Sequence, residues 1–412
     1  MKLLLSAFAC EPGLGSEEGV GWNMAVEAAR EHQVWVLTRG FCAGTIEPYV
    51  AKNPIPNLQF IYFEPFGWSE DWKGRQGLLI VHYYLWQIWA YFVARKWHQK
   101  IQFDLARHVT YVRYWNPSFL ALLPIPFIWG PVGGGESAPA PFWRDFNFRG
   151  KVYEAMRDTA RWLGEHDPFV GLTARRAAIA LASTEQTAVK LRRLGAKRVE
   201  VTTAIALSTA EIDTLAQAPP PPPGPMRFLS VGRLIHWKGL HLSLQAFAAA
   251  NIPTAEYWII GDGVERSRLE QLAQTLGIGQ RVRFWGLLPR GEVLAKMGEC
   301  HALIHPSLHE SGGFVCAEMM AAGRPVICLN WGGPGVQVTP ETGILIEAHN
   351  PPQVIEDLAI ALEQVAKAPD HWGEAGYERV RSHFSWETKG QYFNQLYGQL
   401  ICFHGRGASQ FG

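Results

Sequence analysis

The sequence has few charged residues, and their signs nearly cancel. Asp, Glu, Lys and Arg make up 18% of the 412 residues, and the net charge is +1. A protein that binds nucleic acid usually has a clear excess or stripe of basic residues, so we expect no nucleic-acid partner. The apolar share of 48% is too high for a disordered chain. A chain of this length exceeds what one core normally supports, which predicts two domains.

Cysteine is scarce as well. Only six cysteines occur, and no two of them have C-x-x-C spacing. Most lie in apolar segments that predict strands or helices. This favours the reduced, buried thiols of a cytosolic protein over disulfides or a zinc site. The six residues are Cys10, Cys42, Cys300, Cys316, Cys328 and Cys402.

The sequence also lacks an apolar run long enough for a membrane-spanning helix. The longest, residues 78–93, has about sixteen residues where a span needs roughly 20, and it includes His82 and Gln87. Three interpretations stay open: a core helix, an aromatic-rich helix at a membrane interface, or one wall of an acceptor cleft. Arg95 and Lys96 follow directly and favour the second. The predicted location is the cytoplasm, either fully soluble or peripheral on the inner face of the membrane.

Short β-rich apolar runs alternate with helical patterns along the whole chain. This alternation predicts parallel sheets with helices on both faces. The predicted strands of the first half are 2–9, 34–38, 58–63, 105–109, 127–129, 180–183 and 199–203. Those of the second half are 227–231, 256–260, 282–285, 302–305, 325–329 and 343–346. Between the two sets, the proline-rich segment 218–225 predicts a stiff connector on or near a domain boundary.

We therefore expect an α/β protein with two Rossmann-like domains, each a doubly wound parallel sheet. The N-terminal domain is predicted over 1–205 and the C-terminal domain over 206–385, while 386–412 is predicted to be a helix that packs back on the N-terminal domain. Ligands of such sheets bind beyond the carboxyl ends of the strands. Two facing domains would create a cleft with one substrate on each side.

The densest chemical signal follows the predicted strand 302–305. A helix is predicted to begin near Gly312, and the amide groups of Gly312, Gly313 and Phe314 would form an anion site strengthened by the helix dipole. Glu310 stands before this helix and Glu318 about two turns along it. Carboxylates accept hydrogen bonds from vicinal hydroxyls of a sugar. A ligand with a phosphate between two hydroxylated rings is a nucleotide sugar. Taken by themselves, the two glutamates would instead be interpreted as an ordinary exposed loop residue and an ordinary helix residue.

Three further strand-to-helix junctions are predicted at the same sheet edge. The first contains Arg233 and Lys238, two cations that can neutralise a diphosphate leaving group. The other two are the glycine-rich turns 261–263 and 331–335. Each junction is a weak signal alone, and together they predict a donor site.

These elements resemble the retaining glycosyltransferases of family 4, which have the GT-B fold. The resemblance covers essentially the whole chain and is carried by the segments 232–239 (G-R-L…K-G), 261–263 (G-D-G), 284–286 (F-W-G), 310–318 (Glu, seven residues, Glu) and 321–327 (AAGRPVI). Two departures stand at 203–207, where the family often has N-G-[IV]-D, and at the double glycine after Ser311.

The resemblance implies a role for each matching residue. Arg233 and Lys238 would hold the donor diphosphate, Glu310 would meet the hydroxyls of the donor sugar, and Glu318 would meet the ribose. It further implies hexosyl transfer with retention, from a UDP-sugar by family frequency, to a hydroxyl of a glycan, a lipid-linked or a small-molecule acceptor. No metal would be needed, because the cations and amides replace one, and no cofactor is implied besides the nucleotide sugar as co-substrate. No feature of the sequence specifies an oligomeric state.

The first domain offers fewer signals. Its glycine-rich loop opens a helix, and the resemblance implies that this loop covers the donor phosphates, so Gly13, Gly15 and Ser16 are donor-binding candidates. The alternative is a turn that merely tolerates glycine.

The acceptor side rests on two predicted strand ends. His108 ends the strand 105–109, where it would orient the acceptor or handle a proton, unless it is an ordinary packed histidine. Arg113 follows the same strand. Gly134 and Glu136 follow the strand 127–129 and complete the predicted acceptor-binding set.

Three other functions compete with glycosyl transfer. A nucleotide-sugar epimerase of the same fold would need no acceptor. An NAD-dependent oxidoreductase would need an acidic residue after the second strand, where the residues are Thr38, Arg39 and Gly40. An inactive sugar-binding protein would have no reason to keep every group of the donor site.

Overall fold

The computed structural model describes residues 1–67, 76–368 and 371–408, and the chain divides into two compact units. The first unit comprises the described residues of Met1–Gly135, Arg157–Ala204 and Lys389–Gly412. The second comprises those of Glu136–Met156 and Ile205–Thr388. Each unit has its own sheet and its own apolar core.

Both sheets are entirely parallel. The first has the order β3-β2-β1-β4-β5-β6-β7, and the second β10-β9-β8-β11-β12-β13. The strands of the first unit are β1 Lys2–Ser6, β2 Gln33–Arg39, β3 Leu58–Phe63, β4 Leu105–His108, β5 Phe127–Val132, β6 Ile179–Ala182 and β7 Val199–Val201. Those of the second are β8 Arg227–Val231, β9 Glu256–Ile260, β10 Val282–Gly286, β11 Ala302–His305, β12 Val326–Leu329 and β13 Gly343–Ile346. Every predicted strand is present, and the predicted pair of Rossmann-like parallel sheets is confirmed.

The helices are α1 Ser16–Ala29, α2 Ala43–Lys52, α3 Gln76–Ile101, α4 Phe148–Glu165, α5 Pro168–Arg176, α6 Glu185–Arg193, α7 Thr209–Ala216, α8 Leu240–Ala249, α9 Arg266–Thr275, α10 Arg290–Glu299, α11 Phe314–Ala321, α12 Gly332–Gln337, α13 Pro351–Lys367, α14 Gly373–His383 and α15 Trp386–Ala408. Short 3₁₀ helices lie at Gly40–Cys42, Pro65–Gly67, Phe119–Leu122, Ala140–Asp145, His236–Lys238 and Gly279–Arg281. All six cysteines are free thiols, and only Cys402 is exposed.

The segment Glu136–Met156 differs from the prediction, because it belongs to the second unit and not to the first. The physical reason is apolar burial. Phe142 and Phe146 are buried in the same core cluster as Phe228 of β8 and Leu234. Burying an aromatic side chain of this size is worth a few kcal/mol, enough to fix which core the segment joins.

The proline-rich segment 218–225 also lies elsewhere than predicted. It falls inside the second unit, between α7 and β8. The chain passes between the units at residues 135–136, 156–157, 204–205 and 388–389. The capping box of Ser208 and Glu211 starts α7, a helix of this unit that already precedes the prolines. The prolines therefore join two elements of one unit.

The last helix contributes to the first unit from Lys389 onward. The buried guanidinium of Arg107, on β4, donates to the Tyr397 hydroxyl at 2.7 Å and lies 3.7 Å from the centre of the Phe393 ring. A buried arginine needs such partners because desolvating its charge is costly. This contact fixes the C-terminal segment against the sheet that begins at the N-terminus.

The aromatic-rich segment 78–93 lies within α3. Tyr83, Trp86 and Ala90 are buried in the first unit's core, whereas Val81 and Phe92 are exposed. Of the three interpretations, this burial supports the core helix. Among the described residues, no helix has both the length and the apolarity needed to cross a membrane. Peripheral membrane contact stays a prediction.

Candidate active site

The candidate site lies at the carboxyl edge of the second sheet. β8 and β11 are central neighbours in that sheet, with β9 and β12 on either side. Because all four strands are parallel, the loops that follow them meet at one edge. These loops begin at Gly232, Gly261, Pro306 and Asn330, so the four predicted junctions lie side by side.

The loops touch through their backbones. Leu308 N–H donates to the carbonyl of Trp237 at 2.7 Å, and Gly333 N–H donates to that of Glu310 at 2.7 Å. At Gly239, which has φ of 68°, a Cβ would overlap the carbonyl oxygen of Pro306. A glycine is required there both by the left-handed backbone and by the close approach. The positions of Lys238 and Glu310 are thereby fixed by main-chain contacts.

Glu310 is the centre of the charged cluster. Its carboxylate accepts hydrogen bonds from Lys238 Nζ and from His305 Nε2, the latter at 3.0 Å. Burial by itself would raise the pKa of Glu310, but the charge of Lys238 and the hydrogen bond from His305 outweigh it and hold the pKa well below its usual value. Glu310 is therefore ionised at neutral pH. The sequence analysis did not single out His305. Its position at the carboxyl end of β11, the edge where ligands of such sheets bind, could have indicated it.

Arg233 and Lys238 come together at this edge. Both line one small cavity, which His305 and Pro306 also line. The side chain of Arg233 is exposed, whereas that of Lys238 is 16% exposed and forms an ion pair with Glu310. Two cations in one cavity beside a sheet edge suit a ligand with two neighbouring negative charges.

The start of α11 has the features of an anion site. Gly313 is the N-cap residue, with φ of 106° and ψ of 57°, and Gln337 Nε2 holds the preceding carbonyl of Gly312 at 2.8 Å. The first amide groups of a helix have no acceptor within it, and they point out of the helix end together with the positive end of its dipole. Gly313 and Phe314 supply two of these groups.

Glu318 lies farther along α11 and is almost fully buried. Burial raises its pKa, and Arg290 opposes that rise through an ion pair of 2.7 Å. Arg290 also contacts Glu211 at 3.0 Å. Sequence reasoning missed Arg290, which stands at the start of α10 in no recognisable motif.

Glu136 is not where the sequence placed it. Predicted on the acceptor side of the first domain, it lies in the second unit, where its buried carboxylate accepts from Ser311 Oγ at 2.7 Å. It thus sits beside Glu310. The boundary between the two units lies directly before Glu136, after Gly135.

The remaining predicted residues lie at the carboxyl edge of the first sheet. Gly13, Gly15 and Ser16 form an exposed turn that opens α1, and both Gly13 and Ser16 have positive φ. Gly134 packs against the indole of Trp115, and the Arg113 guanidinium lies 5.7 Å from the centre of the same ring. Their roles in binding stay predictions.

His108 has the surroundings of a packed core histidine. It is 1% exposed, and its Nε2 lies 3.1 Å from the Tyr83 hydroxyl and 3.2 Å from Gln87 Nε2, both on α3. Burial lowers the pKa of His108 to about 3. An imidazole that stays neutral and enclosed at physiological pH is poorly suited to the proton-handling role that the sequence suggested.

The pKa of His108 predicts an acid-sensitive first unit. An unfolded histidine has a pKa near 6.5. Below that pH, His108 is therefore protonated in the unfolded chain but stays neutral in the folded one. The stabilisation is present above about pH 6.5 and is lost as the pH falls toward 3, by up to about 1.4 kcal/mol per pH unit. The unfolding free energy of His108→Gln, measured with denaturant between pH 4 and 7, should change less steeply with pH than that of the wild type. His166→Gln, at an exposed histidine, should keep the wild-type slope, and an equal slope in both variants would contradict this.

The fold of the chain is that of known glycosyltransferase structures. The sucrose-phosphate synthase of Thermosynechococcus elongatus aligns with a TM-score of 0.65 and 21% identity, covering 97% of this chain and 99% of that one. Anabaena Alr3699/HepE in complex with UDP aligns with a TM-score of 0.59 and 19% identity, covering 97% and 100%. At these identities the likeness establishes the GT-B fold alone.

Sequence comparison identifies the second unit more closely. Residues 211–379 match the family Glycosyl transferases group 1. The lipopolysaccharide core biosynthesis glycosyltransferase LpsE of Rhizobium meliloti is 30% identical over 196 residues, which is 47% of this chain and 53% of that protein. The D-inositol 3-phosphate glycosyltransferase of Corynebacterium glutamicum is 31% identical over 181 residues, 42% and 43% of the two chains. The chain thus spans about half the length of the curated relatives it matches.

Proposed function

We propose that this protein transfers a hexosyl group from a nucleoside diphosphate sugar to a hydroxyl group, with retention of the anomeric configuration. The acceptor would be a glycan, a lipid-linked sugar or a small molecule. The observation that carries the proposal is the cluster of Lys238, Glu310 and His305 beside the start of α11. It joins fixed positive charge, free amide groups and an ionised carboxylate at one sheet edge.

Each part of the cluster suits one part of such a donor. The amide groups of Gly312, Gly313 and Phe314 and the cations Arg233 and Lys238 would bind the diphosphate. Ionised Glu310 would accept hydrogen bonds from sugar hydroxyls, and Glu318 from the ribose. A UDP-sugar is the first donor to test, because Anabaena Alr3699/HepE, which shares the fold, was crystallised with UDP.

The proposed reaction needs no covalent intermediate. The bond from the anomeric carbon to the diphosphate oxygen breaks while the acceptor oxygen bonds to the same face of that carbon. The acceptor proton passes to the departing diphosphate. Arg233, Lys238 and the amide groups at the start of α11 would stabilise the charge that develops on the leaving group, without a metal ion.

A thermal-shift screen against nucleoside diphosphate sugars tests the proposal. A ligand that binds only the folded state stabilises it by about 2.7 kcal/mol at 100 times its Kd. We expect at least one sugar nucleotide to raise the melting temperature, and Lys238→Ala to remove that shift. EDTA should leave the shift unchanged.

Three outcomes would favour a competing function. A sugar nucleotide that isomerises when incubated without an acceptor would indicate an epimerase. Stabilisation by NAD but by no sugar nucleotide would indicate an oxidoreductase. Binding without turnover toward any acceptor would leave a sugar-binding protein.

A further inference from the structure

Two buried carboxylates reach the Glu310 loop from a segment far upstream in the chain. Glu136 and Glu154 both belong to Glu136–Met156, far upstream of the rest of the second unit. Both are at most 1% exposed. An ionised carboxylate is costly to bury unless hydrogen bonds compensate, so the partners of these two groups are structurally important.

Glu154 binds a histidine from each of two neighbouring loops. Its Oε1 accepts from His236 Nε2 at 2.9 Å and from His309 Nε2 at 3.2 Å. His236 precedes Lys238 by two residues, and His309 directly precedes Glu310. One oxygen therefore joins the loop that presents the cation to the loop that presents the carboxylate.

Aromatic stacking supports the same connection. The Trp237 ring lies between Tyr153 of α4, with centroids 4.8 Å apart and planes at 19°, and His309, at 4.7 Å and 21°. A Cβ at Gly150 would come within 2.9 Å of His236 Cγ, so α4 approaches this loop as closely as glycine allows. Such a stack holds both loops against the first turns of α4.

Glu136 holds the other side of Glu310. It accepts from the hydroxyl of Ser311, which directly follows Glu310. A Cβ at Gly332, in the next loop along the edge, would lie 3.4 Å from Glu136 Cγ. Glu310 is thus flanked by His309 and Ser311, and each of these neighbours is bound by a buried carboxylate from the same upstream segment.

We propose that Glu136 and Glu154 are positioning residues that clamp Glu310 from both sides and set its distance from Lys238. This inference rests on the proposed function, because it concerns the sugar-binding role of Glu310. The clamp would matter for the sugar part of the donor. The side chains that Glu136 and Glu154 bind, His236, His309 and Ser311, are not themselves among the amide groups and cations proposed to bind the diphosphate.

The test compares the affinities of a nucleoside diphosphate and of the matching sugar nucleotide. The Kd of the nucleoside diphosphate divided by the Kd of the sugar nucleotide measures how much the sugar adds to binding. We expect Glu154→Ala to lower that ratio by about 10-fold or more while it changes the Kd of the nucleoside diphosphate by less than about 3-fold. A purely structural role would weaken both ligands together.

Conservative variants keep the test independent of folding. Glu154→Gln retains one carbonyl oxygen that can accept from both histidines, so it should restore most of the ratio. His309→Phe keeps the stack on Trp237 but removes the donor to Glu154, so it should behave like Glu154→Ala. Glu165→Ala removes a carboxylate of the same helix that binds Tyr114 and Lys190 in the first unit, and it should leave the ratio unchanged.

A double-mutant cycle decides whether the clamp acts through Glu310. In the Glu310→Ala background, Glu154→Ala should lower the ratio by less than about 2-fold. The same loss in both backgrounds, or an unchanged ratio in Glu154→Ala, would overturn the clamp while the proposed function stands. A wild-type protein that binds no sugar nucleotide would overturn the proposed function itself, and the clamp with it.

Discussion

Glycosyl transfer by Glu310→Ala and by Lys238→Ala is expected to be at least about 100-fold slower than by the wild type, with both variants folded. Glu310 and Lys238 contact each other at the sheet edge, and the lysine charge keeps the carboxylate ionised despite its burial. Removing either one would take away a proposed contact to the donor and leave its partner with less compensation. Initial rates with saturating donor, together with the melting temperature, measure the effect.

The two variants should differ in which ligand they lose. Lys238→Ala should weaken the nucleoside diphosphate itself, whereas Glu310→Ala should weaken chiefly its sugar-bearing form. Glu341→Gln, at an exposed residue of the same unit, serves as the control and should have wild-type rates. Transfer within about 3-fold of the wild type in Glu310→Ala would contradict the role given to this carboxylate.

Gly239→Ala is expected to be far more damaging than Gly277→Ala, although the two glycines have nearly the same backbone conformation. Their φ angles are 68° and 71°, so alanine pays a similar left-handed penalty of about 1–2 kcal/mol at each. A Cβ at Gly239 would overlap the carbonyl of Pro306, while nothing lies within 4 Å of one at Gly277. We expect Gly239→Ala to lose about 1–3 kcal/mol more of unfolding free energy.

The same pair separates local packing from donor binding. Relief of the overlap would move Lys238 away from the loop that follows β11. Gly239→Ala should therefore also lose the thermal shift given by a sugar nucleotide, and Gly277→Ala should keep it. Denaturant unfolding and thermal shift measure the two effects, and equal losses in both variants would show that the contact with Pro306 has no energetic weight.

Much of the fold follows from local sequence signals. The strands are short apolar runs, and parallel pairing brings their carboxyl ends to one edge. The sequence alone therefore predicts that Arg233, Lys238, Glu310 and Gly313 lie at the same edge. The glycines helped because, at a predicted helix start, they indicated exposed amide groups that can bind an anion. Such signals depend on a few neighbouring residues, which the sequence displays directly.

Other features depend on partners far away in the chain. Nothing near Phe142 or Phe146 shows that these side chains complete the second core and not the first. The environment of His108 depends on Tyr83 and Gln87 of α3, which determine that it is enclosed. Glu154 stands in a helix without a motif, and its role is visible only once His236 and His309 are brought to it.

The most direct test is a crystal structure with a nucleoside diphosphate bound. The diphosphate should lie within hydrogen-bonding distance of the amide groups of Gly313 and Phe314, with the side chains of Lys238 and Arg233 turned toward its oxygens. A nucleotide bound instead by the turn at Gly13–Gly15 alone, with the start of α11 unoccupied, would contradict the account.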